Sequence, residues 1–192
     1  MEDRLTEDER SQLLKLAREA LTCGVNGQVT PDINLKELPA RLRVPGASFV
    51  TLTRKGNLRG CIGTLEARRP LAEDVCEHAV AAAMQDYRFA PVHPDELPEI
   101  QIEISRLTTP VRIDYSCVEE LIMQLRPGVD GVVLMDGVRR ATFLPQVWEK
   151  IPEPERFLDH LCWKMGAPPD LWRSKKLDVL VYQVEEFQEQ CE

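Results

Sequence analysis

The chain has 192 residues, a formal net charge of −8 at pH 7 and a pI near 5.1. Such a length holds one domain, or two small lobes with a shared core, that is stable without disulfides or metals. Binding along nucleic acid requires clustered Lys and Arg, so the acidic balance argues against a broad electrostatic footprint there and leaves only a local basic pocket open. No apolar run reaches membrane-spanning length and residues 1–4 lack the blocks of a signal peptide, which predicts a cytoplasmic location.

The cysteines and nucleotide fingerprints point to no common metal or cofactor site. The six cysteines are scattered without a CxxC pair, whereas disulfide scaffolds are denser in cysteine and zinc sites use close pairs. The sequence contains neither a GxxxxGK(S/T) nor a GxGxxG motif. We therefore expect free thiols in a reducing compartment, no metal site and no bound cofactor.

The first half of the chain predicts two helices and three strands. Thr6 and Glu9 have the spacing of a capping box ahead of apolar residues at helical intervals, and residues 100–105 alternate between apolar and polar as a strand does. The predicted elements are a helix over 6–24, a loop with at most one helical turn over 25–46, a strand over 47–54, its antiparallel partner over 58–65, a helix over 71–85 and a strand over 100–105.

The second half mixes short strands and helices. Asp136-Gly137 between two apolar runs predicts a hairpin turn. The predicted elements are a strand over 111–113 that extends or pairs with the strand 100–105, a helix over 118–124, a hairpin of 131–135 and 138–144, a helical turn over 145–150, a helix over 154–165 and a strand over 177–187. Because helices and mostly antiparallel strands are mixed, we predict the α+β class, with a mainly antiparallel sheet flanked by helices.

The stretch Leu58–Thr64 combines an apolar run with a cation, a thiol and two glycines. Glycine inside a strand marks a bulge, or a place where a ligand or another backbone comes close. In an extended chain Arg59 and Cys61 lie on one face, and a cation near a thiol favours the reactive thiolate. We interpret the stretch as a site. The alternative is a twisted strand that enters a turn with a buried, inert cysteine.

A base for the thiol is not evident from the sequence. His78 lies at the edge of the apolar side of the helix 71–85, where a histidine is more often a boundary residue. Glu103 occupies the strand face opposite its isoleucine neighbours. If that face lines a cleft, the carboxylate pairs with Arg59 or acts as acid or base; if it faces solvent, Glu103 is an ordinary polar strand residue.

The segment Asp86–Pro91 directly follows the helix 71–85 and ends in a proline that imposes extended geometry. In one interpretation Arg88 and Arg59 together bind an anionic group, because guanidinium forks suit carboxylate and phosphate. In the other, Asp86 and Arg88 pair locally and Phe89 fills the core. Both interpretations stay open.

Taken together, these motifs resemble the AMMECR domain family, whose bacterial and archaeal members are called AmmeMemoRadiSam system protein A. The resemblance extends from about Leu5 to Phe187. It rests on the segments 58–63, 86–91, 96–98, 103–105, 128–131, 140–147 and 157–166. Tyr87 and Ala90 depart from the pattern, since many relatives have proline there, and this leaves the charged and thiol positions intact.

The resemblance implies a single domain over 5–187, with two unequal lobes that form a cleft near the strand 58–65 and flexible ends at 1–4 and 188–192. The catalytic positions it implies are Cys61, Glu103 and Asp86. The substrate-binding positions it implies are Arg59, Gly60, Gly63, Arg88, Phe89 and Ser105. The family's activity is unsettled, and the resemblance implies work with a Memo-like protein and a radical SAM protein, extending to nucleic-acid base modification.

Two functional hypotheses follow. In the first, the chain is an enzyme component: the two arginines bind a small anionic or nucleotide-like group, Cys61 is nucleophile or proton donor, a carboxylate supports it, and the two glycines let substrate approach the backbone. In the second, the chain is a non-catalytic adaptor or ligand-binding protein for the same partners, and Cys61 fills space. Direct nucleic-acid binding is not expected of so acidic a chain, nor is a membrane partner.

Overall fold

A computed structural model describes residues 4–30 and 32–190. Two compact units can be distinguished, one formed by the chain up to Thr108 together with the stretch from Glu185 onward, the other by Thr109–Val184. The helices are α1 (Glu7–Val25), α2 (Ala40–Arg43), α3 (Leu71–Met84), α4 (Val118–Gln124), α5 (Pro154–Lys164) and α6 (Leu171–Ser174). The strands are β1 (Pro45–Arg54), β2 (Asn57–Gly63), β3 (Arg69–Pro70), β4 (Ile100–Leu107), β5 (Val111–Ile113), β6 (Gly131–Asp136), β7 (Arg139–Phe143), β8 (Asp178–Tyr182) and β9 (Val184–Gln188).

The first unit is a five-stranded sheet of order β2-β1-β4-β9, with the short β3 also paired to β1. β1 runs antiparallel to β2 and to β4, so β1 is an inner strand and β2 an edge strand. The turn between β1 and β2 uses Lys55 and Gly56 at φ 52° and 77°. Two successive positive φ angles are what a tight hairpin of this twist requires.

Alternation along β1 and β4 decides which face of this sheet the helices α1 and α3 cover. The apolar side chains at even positions are buried in a core shared with both helices, and side chains at odd positions point to the opposite face. The even-numbered core residues are Val50, Leu52, Ile102 and Ile104. Helix α3 contributes mostly alanines to this core, which lets it lie close to the strands.

Helix α1 begins as the sequence predicts. The Glu9 N–H donates to Thr6 Oγ1 at 3.3 Å, and the Thr6 N–H donates to Glu9 Oε2 at 2.8 Å, which completes a capping box. The predicted loop over 25–46 contains a short 3-10 turn at Leu35–Glu37 as well as the single helical turn of α2.

The second unit contains a four-stranded antiparallel sheet of order β5-β8-β6-β7. Its β6–β7 hairpin is confirmed, but Asp136 pairs with Arg139, so the two-residue loop is Gly137-Val138, one residue later than predicted, with Gly137 at φ 60°. The core includes Trp148 and Phe157, whose rings stack with centroids 3.6 Å apart. The Trp148 Nε1–H donates to the Asp130 carbonyl at 2.7 Å, so the indole is buried without losing its hydrogen bond.

Two strand predictions need correction, although the α+β class is confirmed. The run 177–187, predicted as one strand, is divided into β8 in the second sheet and β9 in the first. The short strand 111–113 pairs with β8 and not with the strand that begins at Ile100. Both errors have one cause, since periodicity within a run carries no information on the sheet that the run joins.

Near the C-terminus, Glu189 lies within the fold, although the sequence assigned it to a flexible end. Its carboxylate binds the Arg18 guanidinium and accepts a hydrogen bond from the Ile102 N–H at 2.9 Å. Residues 1–3 and 191–192 of the predicted flexible ends lie outside the described residues. None of the described helices is long and apolar enough to cross a membrane.

Candidate functional site

A β-bulge in β2 determines where Cys61 points. The β1–β2 register steps from Thr53 opposite Leu58 to Leu52 opposite Gly60, so Arg59 is the extra residue. Without this insertion, the alternation would place Cys61 on the helix-covered face. With it, Cys61 lies opposite Thr51 and shares that residue's face.

Three polar side chains therefore form a row across neighbouring strands. Cys61 on β2 is opposite Thr51 on β1, and Thr51 is opposite Glu103 on β4. Directly paired residues have Cβ atoms about 4.5–5.5 Å apart on the same face. The Thr51 hydroxyl donates to Cys61 Sγ at 3.4 Å. We call these residues the Cys61–Thr51–Glu103 row.

Glu103 has an electrostatic environment that favours its protonated form. Partial burial raises the pKa of its carboxyl above the ordinary value, and the negative charge of Glu186 raises it further. Such a carboxyl keeps its proton to a higher pH than an exposed glutamate and is better matched to acid–base chemistry near neutrality. The structure thus places Cys61 and Glu103, which the sequence named, on one face of the sheet and two strands apart, with Thr51, which the sequence did not name, between them.

Arg59 is occupied by a different partner from the one expected. Its Nε and Nη2 donate to the two carboxylate oxygens of Glu96, each at 2.9 Å, and its Nη1 donates to the Ala90 carbonyl at 2.9 Å. This fork is the main cause that lowers the pKa of Glu96 to about 2 and raises that of Arg59. The cation that the sequence suggested for the Cys61 thiol thus contacts Glu96 and Ala90 in the structure. Arg59 instead fastens β2 to the segment that leads into β4.

Asp86 and Arg88 form a local pair that also holds the backbone of Cys61. Arg88 donates to Asp86 through Nε at 2.9 Å and through Nη2 at 2.6 Å. The Cys61 N–H donates to the same carboxylate at 2.9 Å, and Arg88 Nη2 donates to the Cys61 carbonyl at 3.2 Å. The Arg88 hydrogen bonds hold the pKa of the Asp86 carboxyl far below its usual range. Asp86 is thus an ionised anchor for the Cys61 peptide, and its predicted catalytic role as the carboxylate that supports Cys61 stays a prediction.

The two glycines near Cys61 make room for protein atoms. A Cβ at Gly60 would lie 2.1 Å from the Ala82 carbonyl oxygen of α3, and a Cβ at Gly63 would lie 2.4 Å from the Phe49 ring. The space in front of each glycine is therefore filled by the chain itself. Close packing alone therefore accounts for both glycines, and the prediction that they let a substrate reach the backbone stays a prediction.

The remaining predicted positions lie around this region. Phe89 is half-buried with the Arg88 guanidinium 5.5 Å from its ring centre, and Ser105 is buried opposite Phe49. His78 is turned toward Asp74 instead of toward Cys61, with Nδ1 3.2 Å from Asp74 Oδ2. Thr51 is a site residue that the sequence analysis did not name. Its position in the middle of β1, on the face opposite the core, was a signal for it, but its pairing with Cys61 depends on the bulge at Arg59.

The described part of the chain holds no group of three or more His, Cys, Asp or Glu placed to bind a metal ion. Five cysteines there are free thiols, and Cys191 lies outside the described residues. Burial raises the pKa of the Cys76 thiol to about 12 and also raises that of Cys162, which makes both poor nucleophiles. Cys61 is the one of the five whose sulfur accepts the Thr51 hydroxyl.

Comparisons with known proteins agree with the resemblance noted in the sequence. The AMMECR1 family model matches residues 14–187. A protein of Methanothermobacter thermautotrophicus is 38% identical over 193 residues, covering 96% of each chain. A protein of Methanopyrus kandleri is 35% identical, covering 99% of this chain and 93% of its own length. The crystal structure of an uncharacterised protein from Pyrococcus horikoshii matches with a TM-score of 0.74 and 32% identity, covering 97% of this chain and 94% of that one. The chain belongs to the AMMECR1 family.

Proposed function

We propose that this protein is a component of an enzyme system, acting with a Memo-like and a radical SAM protein in nucleic-acid base modification, and that Cys61 is its reactive group. The observation that carries the proposal is the Cys61–Thr51–Glu103 row. It places a thiol, a hydroxyl and a carboxyl of raised pKa on adjacent strands. A sheet face built only for packing would carry apolar residues at these positions.

Each member of the row has a distinct role in this proposal. Cys61 acts as nucleophile or as proton donor toward the substrate. The hydroxyl of Thr51, 3.4 Å from the sulfur, stabilises negative charge that forms there. Glu103 receives a proton from the substrate or supplies one to it, and its raised pKa suits it to this role.

In this proposal, Arg88 binds an anionic part of the substrate. The Arg59 side chain is only 16% exposed and both arms of its fork are taken by Glu96, whereas the Arg88 side chain is 44% exposed. A guanidinium at the surface can donate to a further carboxylate or phosphate while it keeps its hydrogen bonds to Asp86. The proposal thus keeps one of the two arginines that the sequence suggested.

The test compares modified nucleosides in cells that lack the gene and carry a variant in its place. RNA is hydrolysed and its nucleosides are quantified by mass spectrometry. The wild-type gene and Cys117→Ala, which changes an exposed thiol in the second unit, should restore a modified nucleoside. Cys61→Ala should not restore it, although the variant folds. Equal nucleoside profiles with and without the gene would reject base modification.

A second candidate is the non-catalytic adaptor, favoured because Arg59 and Arg88 each form a fork with a carboxylate of the chain itself. It predicts that Cys61→Ala supports the system as wild type does. It further predicts that Arg88→Gln weakens co-purification of the Memo-like or radical SAM protein with a tagged chain. Loss of function in Cys61→Ala with unchanged co-purification would exclude the adaptor and support the enzyme component.

A further inference from the structure

Two side chains occupy the place of a neighbouring strand along the outer edge of β2. The Cys61 N–H and carbonyl are held by Asp86 Oδ2 and Arg88 Nη2, at 2.9 and 3.2 Å. An added strand would offer this residue the same pair of an acceptor and a donor. We propose that Asp86 and Arg88 are positioning residues for Cys61, which lock its peptide to the sheet edge and keep a positive charge beside its thiol. The inference rests on the function proposed above for Cys61.

The geometry of the pair permits little movement. The Asp86 side chain is 2% exposed and accepts hydrogen bonds from the Cys61 N–H and from Arg88 through its backbone N–H, Nε and Nη2. A bidentate guanidinium–carboxylate pair fixes both orientation and distance. Because the carboxylate is buried and its bonds are charge-assisted, the Cys61 peptide is held more firmly than an edge peptide bound to water.

The charge of Arg88 acts on the sulfur of Cys61 as well as on Asp86. The Asp86 hydrogen bond is the largest cause that raises the pKa of Arg88, and the negative charge of Cys61 adds to it. Arg88 Nη2 also donates to the Cys61 carbonyl at 3.2 Å, so the guanidinium places its positive charge against the residue that carries the thiol. One pair thus supplies both the position of the peptide and the nearby cation, the role that the sequence gave to Arg59.

The second unit offers a matched control for this pair. Arg126 donates to Asp130 through its backbone N–H at 3.0 Å, through Nε at 3.1 Å and through Nη2 at 2.6 Å. The Asp130 side chain is 1% exposed, so its fork is held as firmly as that of Asp86. None of the contacts described for this fork involves a cysteine. The substitution Arg126→Gln therefore shows how the loss of such a pair away from Cys61 affects the measurements on Cys61.

The experiment measures two quantities on the full chain for wild type, Arg88→Gln, Arg88→Lys and Arg126→Gln. One is the hydrogen-exchange rate of the Cys61 amide. The other is the rate of Cys61 alkylation by iodoacetamide at pH 7, relative to a free cysteine peptide in the same solution. We expect Arg88→Gln to speed the exchange and to slow the alkylation about three- to tenfold, the range for a partly exposed charge pair. Arg88→Lys should recover part of the alkylation rate, and Arg126→Gln should change neither quantity.

Unchanged exchange and alkylation at Cys61 in Arg88→Gln would overturn the inference, as would equal effects of Arg126→Gln. If Arg88→Gln fails to fold, the exchange rate of the Cys61 amide in Arg88→Lys is used instead, because lysine cannot form the fork. Faster exchange than in wild type supports the inference, and unchanged exchange overturns it. A wild-type Cys61 that reacts no faster than the free peptide counts against the proposed function. In that case the ratio of the Cys61 exchange and alkylation rates in the variant to those in wild type still tests the positioning role. Failure of the proposed function and failure of the positioning role are therefore distinguishable.

Discussion

The substitution Gly60→Ala separates a packing glycine from a substrate-approach glycine. Its Cβ would lie 2.1 Å from the Ala82 carbonyl oxygen and 3.0 Å from the Ala82 carbonyl carbon. Ordinary contact needs more than 3 Å, and both obstructing atoms belong to the backbone of α3. The helix must therefore move by about 1 Å or β2 must detach, and overpacking of this kind costs typically 1–3 kcal/mol. We expect the upper end, about 3 kcal/mol, because no rotamer change relieves the contact.

A suitable control for this prediction is Gly137→Ala. Gly137 has φ 60° and no atom within 4 Å of an added Cβ, so only backbone strain of about 1–2 kcal/mol applies. The three tryptophans, Trp148, Trp163 and Trp172, all lie in the second unit, whereas Gly60 lies in the first. The stability of the first unit is therefore measured by hydrogen exchange of the α3 and β1 amides in a urea series. A stability loss at Gly60→Ala below 1 kcal/mol would refute the packing argument.

Two pH-dependent predictions follow from the shifted carboxyl groups. Glu96 has a pKa of about 2 in the fold, below its ordinary value of 4.5. Its ionised carboxylate therefore adds to the free energy of unfolding at pH values above 4.5, and this stabilisation is lost as the pH falls toward 2. Glu96→Gln should therefore be less stable than wild type at neutral pH, by a margin that closes in acid, as measured by urea unfolding followed by circular dichroism. Glu103 has a raised pKa, so its ionised form destabilises the fold as the pH rises. Glu103→Gln should raise the unfolding free energy at pH 7 and leave it unchanged below about pH 4, and a loss of stability at pH 7 would contradict its proposed environment.

Much of the fold follows from local signals in the sequence. The capping box of Thr6 and Glu9 and the alternation over 100–105 each specify an element through contacts within a few residues, and Gly137 marks the β6–β7 hairpin to within one residue. The division of 177–187 between two sheets does not follow, because strand pairing is decided by tertiary packing.

The candidate site is harder to predict, because one inserted residue controls it. Ideal pairing from the hairpin turn would place Arg59 opposite Leu52 and Cys61 on the helix face. The bulge places Gly60 there, against Ala82, and moves Cys61 to the face of Thr51. The glycine was a sign of a bulge, but its position in the ladder depends on how closely α3 approaches. The Arg59–Glu96 pair joins residues 37 positions apart and has no signal in local spacing.

The same observations revise the relation between charge and thiol. The sequence assigned the cation near Cys61 to Arg59, two residues away. The structure places Arg59 on Glu96 and brings Arg88 to the Cys61 peptide from the segment that follows α3. The motifs thus contain the chemical groups of the site, but nearness in sequence does not show which arginine lies beside Cys61. The segment that follows α3 returns to the edge of the sheet and brings Arg88 there.

The reactivity that we propose for Cys61 is tested by its alkylation rate within the native protein, compared with that of the exposed Cys117 in the same molecule. Peptide mass spectrometry resolves both sites after timed exposure to iodoacetamide at pH 7. The proposed function predicts that Cys61 reacts faster than Cys117 despite being half-buried, and that Thr51→Val slows Cys61 alone. If Cys61 reacts more slowly than Cys117 and Thr51→Val has no effect, the row is structural and the enzyme role of Cys61 is contradicted.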